Sequence, residues 1–557
     1  MIEKRWLGIA ASISLCAVVT GLLIIEIILN LTPPLSRDAL IHHLAIPKLW
    51  LVNGGYYEIP WAKFSYYPMN IDLLYLIPLY FKNDIVPKFI HCAFGIGIGV
   101  LVYLYLGKRL GRNWGLVGFL IFFSTPVVVR LSTSAYVDLG MVFFITAGVM
   151  AWLTWQNEGY NDLKWLILSA VFMGLAVGSK YNALIAWFFV NLMMVFYYSS
   201  DTKKGLQAIK YGALFFVVTF LVASPWFIKN ALQTGNPLYP LFGGFFRLLH
   251  HAGETGSGVV AAVSDSNWAS GIFQRREAIF GEGFCETLLI PLRIFFQGKD
   301  GSPQYFDGVM NPILIVMLPF AFLKNNFGRD RLFFLLFSVF FLLMGYFLAV
   351  VRIRYILPII PFLTILSVMG IKNLIEWINR FPRPVGNSGI LLISFMMAIL
   401  IALNILYIKD RYTTIKPERF VFHAETRDEF LTRNIGYYPT VQYINENLSD
   451  DAKIFFMFMG NQGFYLDREY FYDSSFGMKT IEEMVKVSED ASNFKEYLYS
   501  MKATHILMRI DLFNKYLGDN FSEETIVRFL GFLKAYWRPM YGSNGYAVFE
   551  VLSSAEG

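Results

Sequence analysis

Long apolar runs alternate with short polar segments along the first three quarters of the chain. A helix of about 20 apolar residues is long enough to cross the roughly 30 Å hydrocarbon core of a bilayer. We divide the stretch 165–198 at Gly178–Lys180, because one helix of that length would measure about 50 Å. The pattern then predicts eleven spans, at 6–31, 86–106, 114–129, 139–155, 165–179, 181–198, 212–228, 310–323, 332–351, 355–371 and 390–408.

Two of the polar segments are long and contain apolar stretches of their own. The segment 32–85 mixes aromatic residues with turn-forming residues and contains the apolar stretch 71–81, which is too short to span a bilayer. The segment 229–309 contains a similar stretch at 286–297. Both stretches predict helices that lie along the membrane surface.

The last quarter of the chain follows a different pattern. Short β-like runs at 453–458, 504–508 and 546–551 alternate with helix-like runs, and charged residues become common. This pattern predicts a small soluble α/β domain. We therefore expect an α-helical polytopic membrane domain at 1–411 and a C-terminal α/β domain at 412–557.

The distribution of basic residues predicts the orientation of the spans, because cytoplasmic loops of membrane proteins are enriched in lysine and arginine. The basic clusters of the short loops all fall on one side of the predicted spans. We expect that side and the N-terminus to be cytoplasmic, and the C-terminal domain to be periplasmic or extracellular. The clusters are Lys4, Arg5, Lys108, Arg109, Arg112, Lys203, Lys204, Lys210, Lys324, Arg329, Arg331, Lys372, Arg380 and Arg383.

The composition agrees with a multi-pass protein of the inner, or plasma, membrane. Hydrophobic residues make up 56% of the 557 residues, charged residues only 16%, and the mean hydropathy is +0.48. The net charge of +6 is explained by the cytoplasmic clusters, so it does not indicate a nucleic-acid partner. The three cysteines have neither the spacing of a metal site nor a plausible disulfide pairing.

Five charged residues stand at the predicted outer ends of spans, where an ionisable group is costly and often functional. Asp38 and Asp138 are candidates for acid or base chemistry, although each could also simply begin a helix, where aspartate is favoured. Arg352 and Arg354 carry planar guanidinium groups, whose geometry suits a phosphate. Lys180 either supports that phosphate site or extends its ammonium to the membrane surface.

Weaker candidates lie in the two long outer segments. Lys63 and Arg293 are possible additional phosphate ligands. His42 and His43 could bind substrate or, together with the aspartates, a divalent metal. Adjacent residues on a helix point in different directions, so at most one histidine could face such a site. A metal held by Asp38, Asp138 and His43 therefore stays open, and the sequence indicates no other cofactor.

Several motifs resemble those of the C-type glycosyltransferase superfamily, in its branch of protein mannosyltransferases and aminoarabinose transferase-like bacterial enzymes. The resemblance covers residues 1 to about 410. Its most specific part is the Pro-Trp at 225–226 that continues to Asn-Pro-Leu-Tyr-Pro at 236–240. Members of the family often have two adjacent acidic residues in the first outer loop. This sequence departs from that pattern, because Ala39 follows Asp38. Asp38, the turn around Asp138 and the 354–358 stretch complete the resemblance.

The resemblance implies transfer of a sugar from a polyprenyl-phosphate lipid to a lipid, glycan or protein acceptor on the outer face. A carboxylate on the face of the sugar opposite the phosphate would invert the anomeric carbon. The resemblance implies that Asp38 is the catalytic base. We also expect Tyr136, Asn236 and Tyr239, together with the two histidines, to bind substrate. Two other classes stay open. One is a polymerase or ligase of O-antigen type, which uses diphosphate-linked glycans, and the other is a lipid or sugar transporter. A transporter would be expected to show repeated halves.

Overall fold

The computed structural model describes residues 2–246, 271–323, 328–346 and 351–552. Three of the features predicted above lie partly or wholly outside the described residues. They are residues 247–270 of the long outer segment, residues 347–350 at the end of the predicted span 332–351, and Lys324.

Seven described helices are long and apolar enough to cross a membrane. An eighth span results if the bent pair Arg112–Ser124 and Pro126–Ser132, which meet at 71°, is counted as one. The protein is therefore a multi-pass membrane protein, and the predicted helical class is confirmed. The seven helices are Ser12–Asn30, Val86–Leu110, Asp138–Asn157, Ala183–Thr202, Gly205–Thr234, Ile353–Ile378 and Gly386–Ile415.

The other three predicted spans form shorter or more polar helices. Leu163–Val177 has 15 residues and ends just before the predicted break at Gly178. The run 310–323 is divided into Ile313–Val316 and Pro319–Phe322, since proline cannot donate the hydrogen bond that would continue a helix. Arg329–Tyr346 carries three charged residues, Arg329, Asp330 and Arg331, in its first turn.

The two long outer segments contain short helices, as their apolar stretches predict. In the first segment these are the π-helix Ala39–His43, the α-helices Ala45–Val52 and Asn70–Tyr80, and the 3-10 turn Lys63–Tyr66. In the second they are Ile272–Phe280, Phe284–Leu288 and Ile290–Arg293.

The chain divides into two compact units. The first comprises Met1–Leu31, Tyr67–Leu74 and Val86–Pro417, and it contains all the spans. The second comprises Thr32–Tyr66, Tyr75–Ile85 and Glu418–Gly557. It therefore combines most of the first outer segment with the C-terminal region.

The second unit is built around a five-stranded mixed sheet with strand order β2-β1-β3-β5-β4. Strand β1 pairs in parallel with β2 and β3, whereas β5 pairs antiparallel with β3 and β4. The strands are β1 Lys453–Met457, β2 Glu469–Phe471, β3 His505–Arg509, β4 Trp537–Ser543 and β5 Tyr546–Val551. The helices of the C-terminal region are Pro417–Val421, Arg427–Asn434, Tyr438–Asn447, Met478–Val487, Ala491–Ser500, Ile510–Asn520 and Glu523–Tyr536.

Hydrogen bonds within the second unit join its distant segments. The Lys48 ammonium donates to the carbonyls of Phe464, at 2.8 Å, and Leu466, at 2.9 Å. The Tyr465 hydroxyl donates to the carbonyl of Pro34 at 2.7 Å. Arg427 and Asp84 form an ion pair. The stretch 463–467 is thus bound to residues that precede it by more than 400 positions.

The last span, Gly386–Ile415, packs little against the rest of the first unit, since only 11% of its most apolar window is buried. Three polar side chains attach it. Asn404 accepts from the Asn311 amide at 2.7 Å and donates to the Ser124 hydroxyl at 2.9 Å. Tyr407 donates to Asp300 at 2.5 Å, and Arg411 donates to the Thr133 hydroxyl at 2.9 Å. These residues lie three and four positions apart, so they share one face of the helix.

Candidate functional site

Asp138 and Lys180, which the sequence singles out separately, form an ion pair. Asp138 begins the helix Asp138–Asn157, and Lys180 lies in the turn that follows Leu163–Val177. The Lys180 ammonium donates to Asp138 Oδ1 at 2.7 Å. The Asp138 side chain is completely buried, whereas 18% of the Lys180 side chain is exposed. A buried carboxylate in this position is compensated by a cation that still reaches the surface of the unit.

Asp72 adds a second buried carboxylate to this region, and sequence reasoning missed it. It lies in the first turn of Asn70–Tyr80 and is only 1% exposed. Burial raises the pKa of Asp72 well above its ordinary value; the charge of Asp138 acts in the same direction, and Lys180 opposes both. Asp72 therefore keeps its proton to a higher pH than an exposed aspartate does. The sequence did contain a signal for Asp72, because it is an acidic residue inside the apolar stretch 71–81, which is too short to span a bilayer.

Arg354 and Lys180 both lie near the aromatic ring of Tyr355. Its guanidinium carbon is 5.4 Å from the ring centroid of Tyr355 and 5.9 Å from that of Tyr136. The Lys180 ammonium lies 5.8 Å from the same Tyr355 ring. Ring faces attract cations at such distances. The structure thus brings together Asp138, Lys180, Arg354 and Tyr136 of the predicted site.

Arg352 belongs to a neighbouring cluster whose charges balance. One of its guanidinium nitrogens lies 3.6 Å from Asp307 Oδ2. Arg130 contacts Asp307 at 3.1 Å and Asp300 at 2.9 Å, so two arginines face two aspartates. Burial opposes ionisation of Asp307, but Arg130, the Gly301 amide and Arg352 together hold its pKa below the ordinary value. Sequence reasoning missed both of these aspartates.

The Pro-Trp to Asn-Pro-Leu-Tyr-Pro stretch shapes the backbone around Lys180. The Trp226 indole donates to Asn70 Oδ1 at 2.7 Å, and the Asn70 backbone N–H donates to the Gly178 carbonyl at 2.9 Å. The Asn230 amide donates to the Tyr181 hydroxyl at 3.0 Å and to the Tyr239 carbonyl at 3.1 Å. These bonds fix the turn on both sides of Lys180.

Asn236, predicted to bind substrate, has a structural task in this stretch. Its side-chain amide donates to the Leu241 carbonyl at 2.7 Å, and its side-chain oxygen accepts from the Leu238 backbone N–H at 2.9 Å. The side chain is buried. Asn236 therefore closes the turn that presents Tyr239, and substrate contact by either residue stays a prediction.

Four other predicted site residues, Asp38, His42, His43 and Lys63, lie in the second unit. Asp38 is half-buried and directly precedes the π-helix Ala39–His43, whose backbone N–H groups its side chain does not cap. His43 is buried, and the His42 ring stacks on Phe64 at a centroid distance of 4.3 Å. Lys63 is exposed in the turn Lys63–Tyr66. Within the described ranges, no group of three or more His, Cys, Asp or Glu side chains is arranged to hold a metal ion.

Arg293, the weaker phosphate candidate of the long outer segment, takes part in a buried ion cluster of its own. It contacts Glu282 at 3.0 Å, and Glu282 also pairs with Arg276. The Arg293 guanidinium lies 5.6 Å from the Phe306 ring centroid. Two arginines therefore share one glutamate at this position.

Comparisons with known proteins identify similar sequences and folds. Residues 59–235 match the family model described as dolichyl-phosphate-mannose-protein mannosyltransferase. Two crystal structures of ArnT from Cupriavidus metallidurans are similar in fold. The structure bound to undecaprenyl phosphate has a TM-score of 0.57 and 14% identity, over 95% of this chain and 96% of that chain.

The ArnT structure in the apo state has a TM-score of 0.53 and 15% identity, over the whole of both chains. A comparison with curated protein sequences found no match. The chain therefore has the fold of the C-type glycosyltransferases, and its resemblance to the protein mannosyltransferase and aminoarabinose transferase-like branch of that superfamily is confirmed.

Proposed function

We propose that this protein is a membrane glycosyltransferase that moves a sugar from a polyprenyl-phosphate donor to an acceptor on the outer face of the plasma membrane. The observation that carries the proposal is the cation cluster of Lys180 and Arg354 around Tyr355, beside the buried Asp138. Undecaprenyl phosphate is the molecule bound in the similar ArnT structure, and a dolichyl phosphate sugar gives the matched family its name. A lipid phosphate therefore suits this cluster.

The reaction requires a base and a site for the departing phosphate. The bond between the anomeric carbon and the phosphate oxygen breaks, and a bond from the acceptor oxygen to the anomeric carbon forms. The acceptor hydroxyl gives its proton to a carboxylate, for which we propose Asp38. Polyprenyl monophosphate leaves with the bonding electrons. Attack from the face opposite the phosphate inverts the anomeric carbon.

Arg354 and Lys180 supply the positive charge that the departing phosphate requires. Charge grows on the phosphate oxygens as the bond to the sugar breaks, and preorganised cations stabilise that charge at little reorganisation cost. Asp138 fixes the Lys180 ammonium at 2.7 Å and so orients it. Arg352, held loosely by Asp307 at 3.6 Å, would move toward phosphate as a supporting ligand.

The experiment that tests this proposal is a release assay with purified full-length protein. Polyprenyl-phosphate monosaccharides are offered one by one with a membrane extract as acceptor, and free polyprenyl monophosphate is measured. We expect release with at least one donor, and a loss of at least about 100-fold in Asp38→Asn. The exposed Asp519→Asn is the matched control and should retain activity.

The donor site is tested by binding of the product lipid, polyprenyl monophosphate. We expect Arg354→Ala to weaken this binding about tenfold or more, because a charge-assisted contact to phosphate is lost. Arg380→Ala removes an exposed arginine of a predicted cytoplasmic loop and should bind as the wild type does. Turnover of a diphosphate-linked glycan instead of every monophosphate donor would overturn the proposed reaction.

A further inference from the structure

His91 is a buried histidine that bonds the backbone on both sides of Asp138. It lies on the helix Val86–Leu110, and its side chain is fully buried. Its Nδ1 is 2.8 Å from the carbonyl oxygens of Leu131 and Ser134. Its Nε2 accepts from the Leu139 backbone N–H at 2.9 Å.

These three contacts determine the form of the imidazole. A backbone N–H can only donate and a carbonyl can only accept, so Nε2 carries no proton and Nδ1 carries one. The ring is therefore neutral and has one tautomer. A second proton on Nε2 would meet the Leu139 N–H and abolish that contact.

The position of Leu139 makes this contact important for Asp138. Asp138 is the first residue of its helix, and the first N–H groups of a helix lack partners within the helix itself. His91 supplies the acceptor for one of them. The same ring holds Leu131 and Ser134, which precede Asp138, so one side chain joins the end of one helix to the start of the next.

Side chains of the first and last spans hold the same turn. Ser132 donates to Glu26 at 2.7 Å, and the Asn30 amide donates to the Ser132 carbonyl at 3.1 Å. Arg411 donates to the Thr133 hydroxyl at 2.9 Å. The approach to Asp138 is thus fixed from several helices, and His91 extends that support across Asp138 to Leu139.

We propose that His91 is a positioning residue for the sugar transfer. Its neutral imidazole fixes the start of the Asp138 helix, so that the Asp138 carboxylate stays within bonding distance of Lys180 and holds the ammonium toward the donor phosphate. His91 itself touches no substrate. This inference rests on the proposed function, because it assigns Asp138 and Lys180 to the donor site.

Three substitutions of His91 separate its bond to the Leu139 N–H from its bonds to the Leu131 and Ser134 carbonyls. His91→Gln can place an oxygen near the Leu139 N–H, His91→Asn can place a donor near the two carbonyls, and His91→Leu provides neither. We expect kcat to fall about 10-fold to 100-fold in the Leu and Asn variants, with KM for the donor lipid within about twofold. The Gln variant should recover most of the loss. Cys92→Ala, at the next buried position of the same helix, is the control.

Hydrogen exchange of the Leu139 amide in the full-length protein gives a readout that is independent of turnover. We expect faster exchange in the Leu and Asn variants than in the Gln variant and the wild type. Unchanged exchange, or faster exchange with unchanged kcat, would overturn the positioning role. If the wild type turned over no donor, the proposed function would fail, whereas the exchange rates would still decide whether His91 holds this helix start.

Discussion

Asp138 is a carboxylate without exposed surface, and the Lys180 ammonium, at 2.7 Å, compensates its charge. Loss of one partner from a buried ion pair leaves an uncompensated charge, which typically costs about 3–5 kcal/mol. We therefore expect Lys180→Met to lower the melting temperature of the detergent-solubilised protein strongly. The double variant Asp138→Asn with Lys180→Met should recover much of this loss, because no charge is left alone.

The matched control for Lys180 is another lysine that pairs with an aspartate, but in solvent. Lys164 contacts Asp162, and 70% of the Lys164 side chain is exposed. Exposed pairs add little to stability because water and salt screen them. Lys164→Met should therefore leave the melting temperature nearly unchanged. An equal loss in both lysine variants would contradict the role of burial.

The raised pKa of Asp72 predicts how the stability of the folded protein depends on pH. The folded protein keeps the proton of Asp72 to a higher pH than the unfolded chain does, because burial and the nearby Asp138 disfavour the charged form. The stability that this group contributes is fully present below the pKa of the unfolded chain and is lost as pH rises through the pKa of the folded state.

Comparison with an uncharged variant isolates this contribution. As pH rises above the ordinary pKa of an aspartate, about 4, we expect the melting temperature of the wild type to fall relative to that of Asp72→Asn. The exposed Asp519→Asn should follow the wild type over the same range. Parallel curves for the wild type and Asp72→Asn would show that Asp72 is already ionised in the folded protein.

At the scale of single residues, the sequence predicts members of the site better than their partners. Asp138 and Lys180 stand out because charges at the ends of apolar runs are rare. Their pairing joins positions 42 residues apart, and that of Arg352 with Asp307 joins positions 45 apart, which no local pattern encodes. Asp72 resembles an ordinary residue of a first helical turn.

Close contact between two elements of the first unit depends on one glycine. A Cβ atom at Gly370, in the helix Ile360–Ile378, would lie 2.1 Å from the Met317 carbonyl oxygen. The obstacle is backbone, so the helices would have to separate. We expect Gly370→Ala to destabilise the protein by about 1–3 kcal/mol, the usual cost of overpacking, measured as a lower melting temperature.

A second helical glycine provides the opposite expectation. Gly107 lies near the end of Val86–Leu110. Apart from its chain neighbours and its own helix backbone, no atom of the described residues lies within 4 Å of the position that a Cβ would take. Alanine favours a helix over glycine by about 0.5–1 kcal/mol. Gly107→Ala should therefore maintain or raise the melting temperature. If the two alanine variants behaved alike, the contact at Met317 would not limit the packing.

At the scale of elements, each predicted apolar run forms helix over at least part of its described residues, but several do not cross a membrane as one piece. Proline at 319 interrupts one run, and the run 114–129 bends by 71° between Ser124 and Pro126. Hydropathy records how apolar a stretch is, whereas the continuity of a helix depends on backbone hydrogen bonds. The break at Gly178–Lys180 was predictable because length limits a single span.

The second unit depends on segments that are distant in the sequence. Lys48 donates to two carbonyls of the stretch 463–467 and contacts Asp467 at 2.7 Å. We expect Lys48→Met to increase hydrogen exchange within 463–468 of the full-length protein, because these carbonyls lose their donor. Lys515→Met changes an exposed lysine of the same unit and should leave that stretch protected. Equal protection in both variants would contradict the prediction.

At the scale of the whole molecule, composition predicts the change in character after residue 411. The mixed sheet agrees with the expected α/β pattern in the C-terminal region. Composition does not predict that residues 32–66 and 75–85 join the same compact unit, because the joining bonds, such as that of Tyr465 with Pro34, are single long-range contacts. The predicted boundary at 411 and the orientation of the spans stay predictions.

The sparse polar attachment of the last span has a consequence for how its sequence can vary through evolution. Apolar residues on its largely uncovered surface can replace one another as long as they remain compatible with lipid. The register of Asn404, Tyr407 and Arg411 cannot vary in this way. A single inserted residue between them would rotate one bond off the shared face by about 100°. The spacing between these three residues is therefore constrained, whereas the choice of apolar residues on the rest of the helix surface is not.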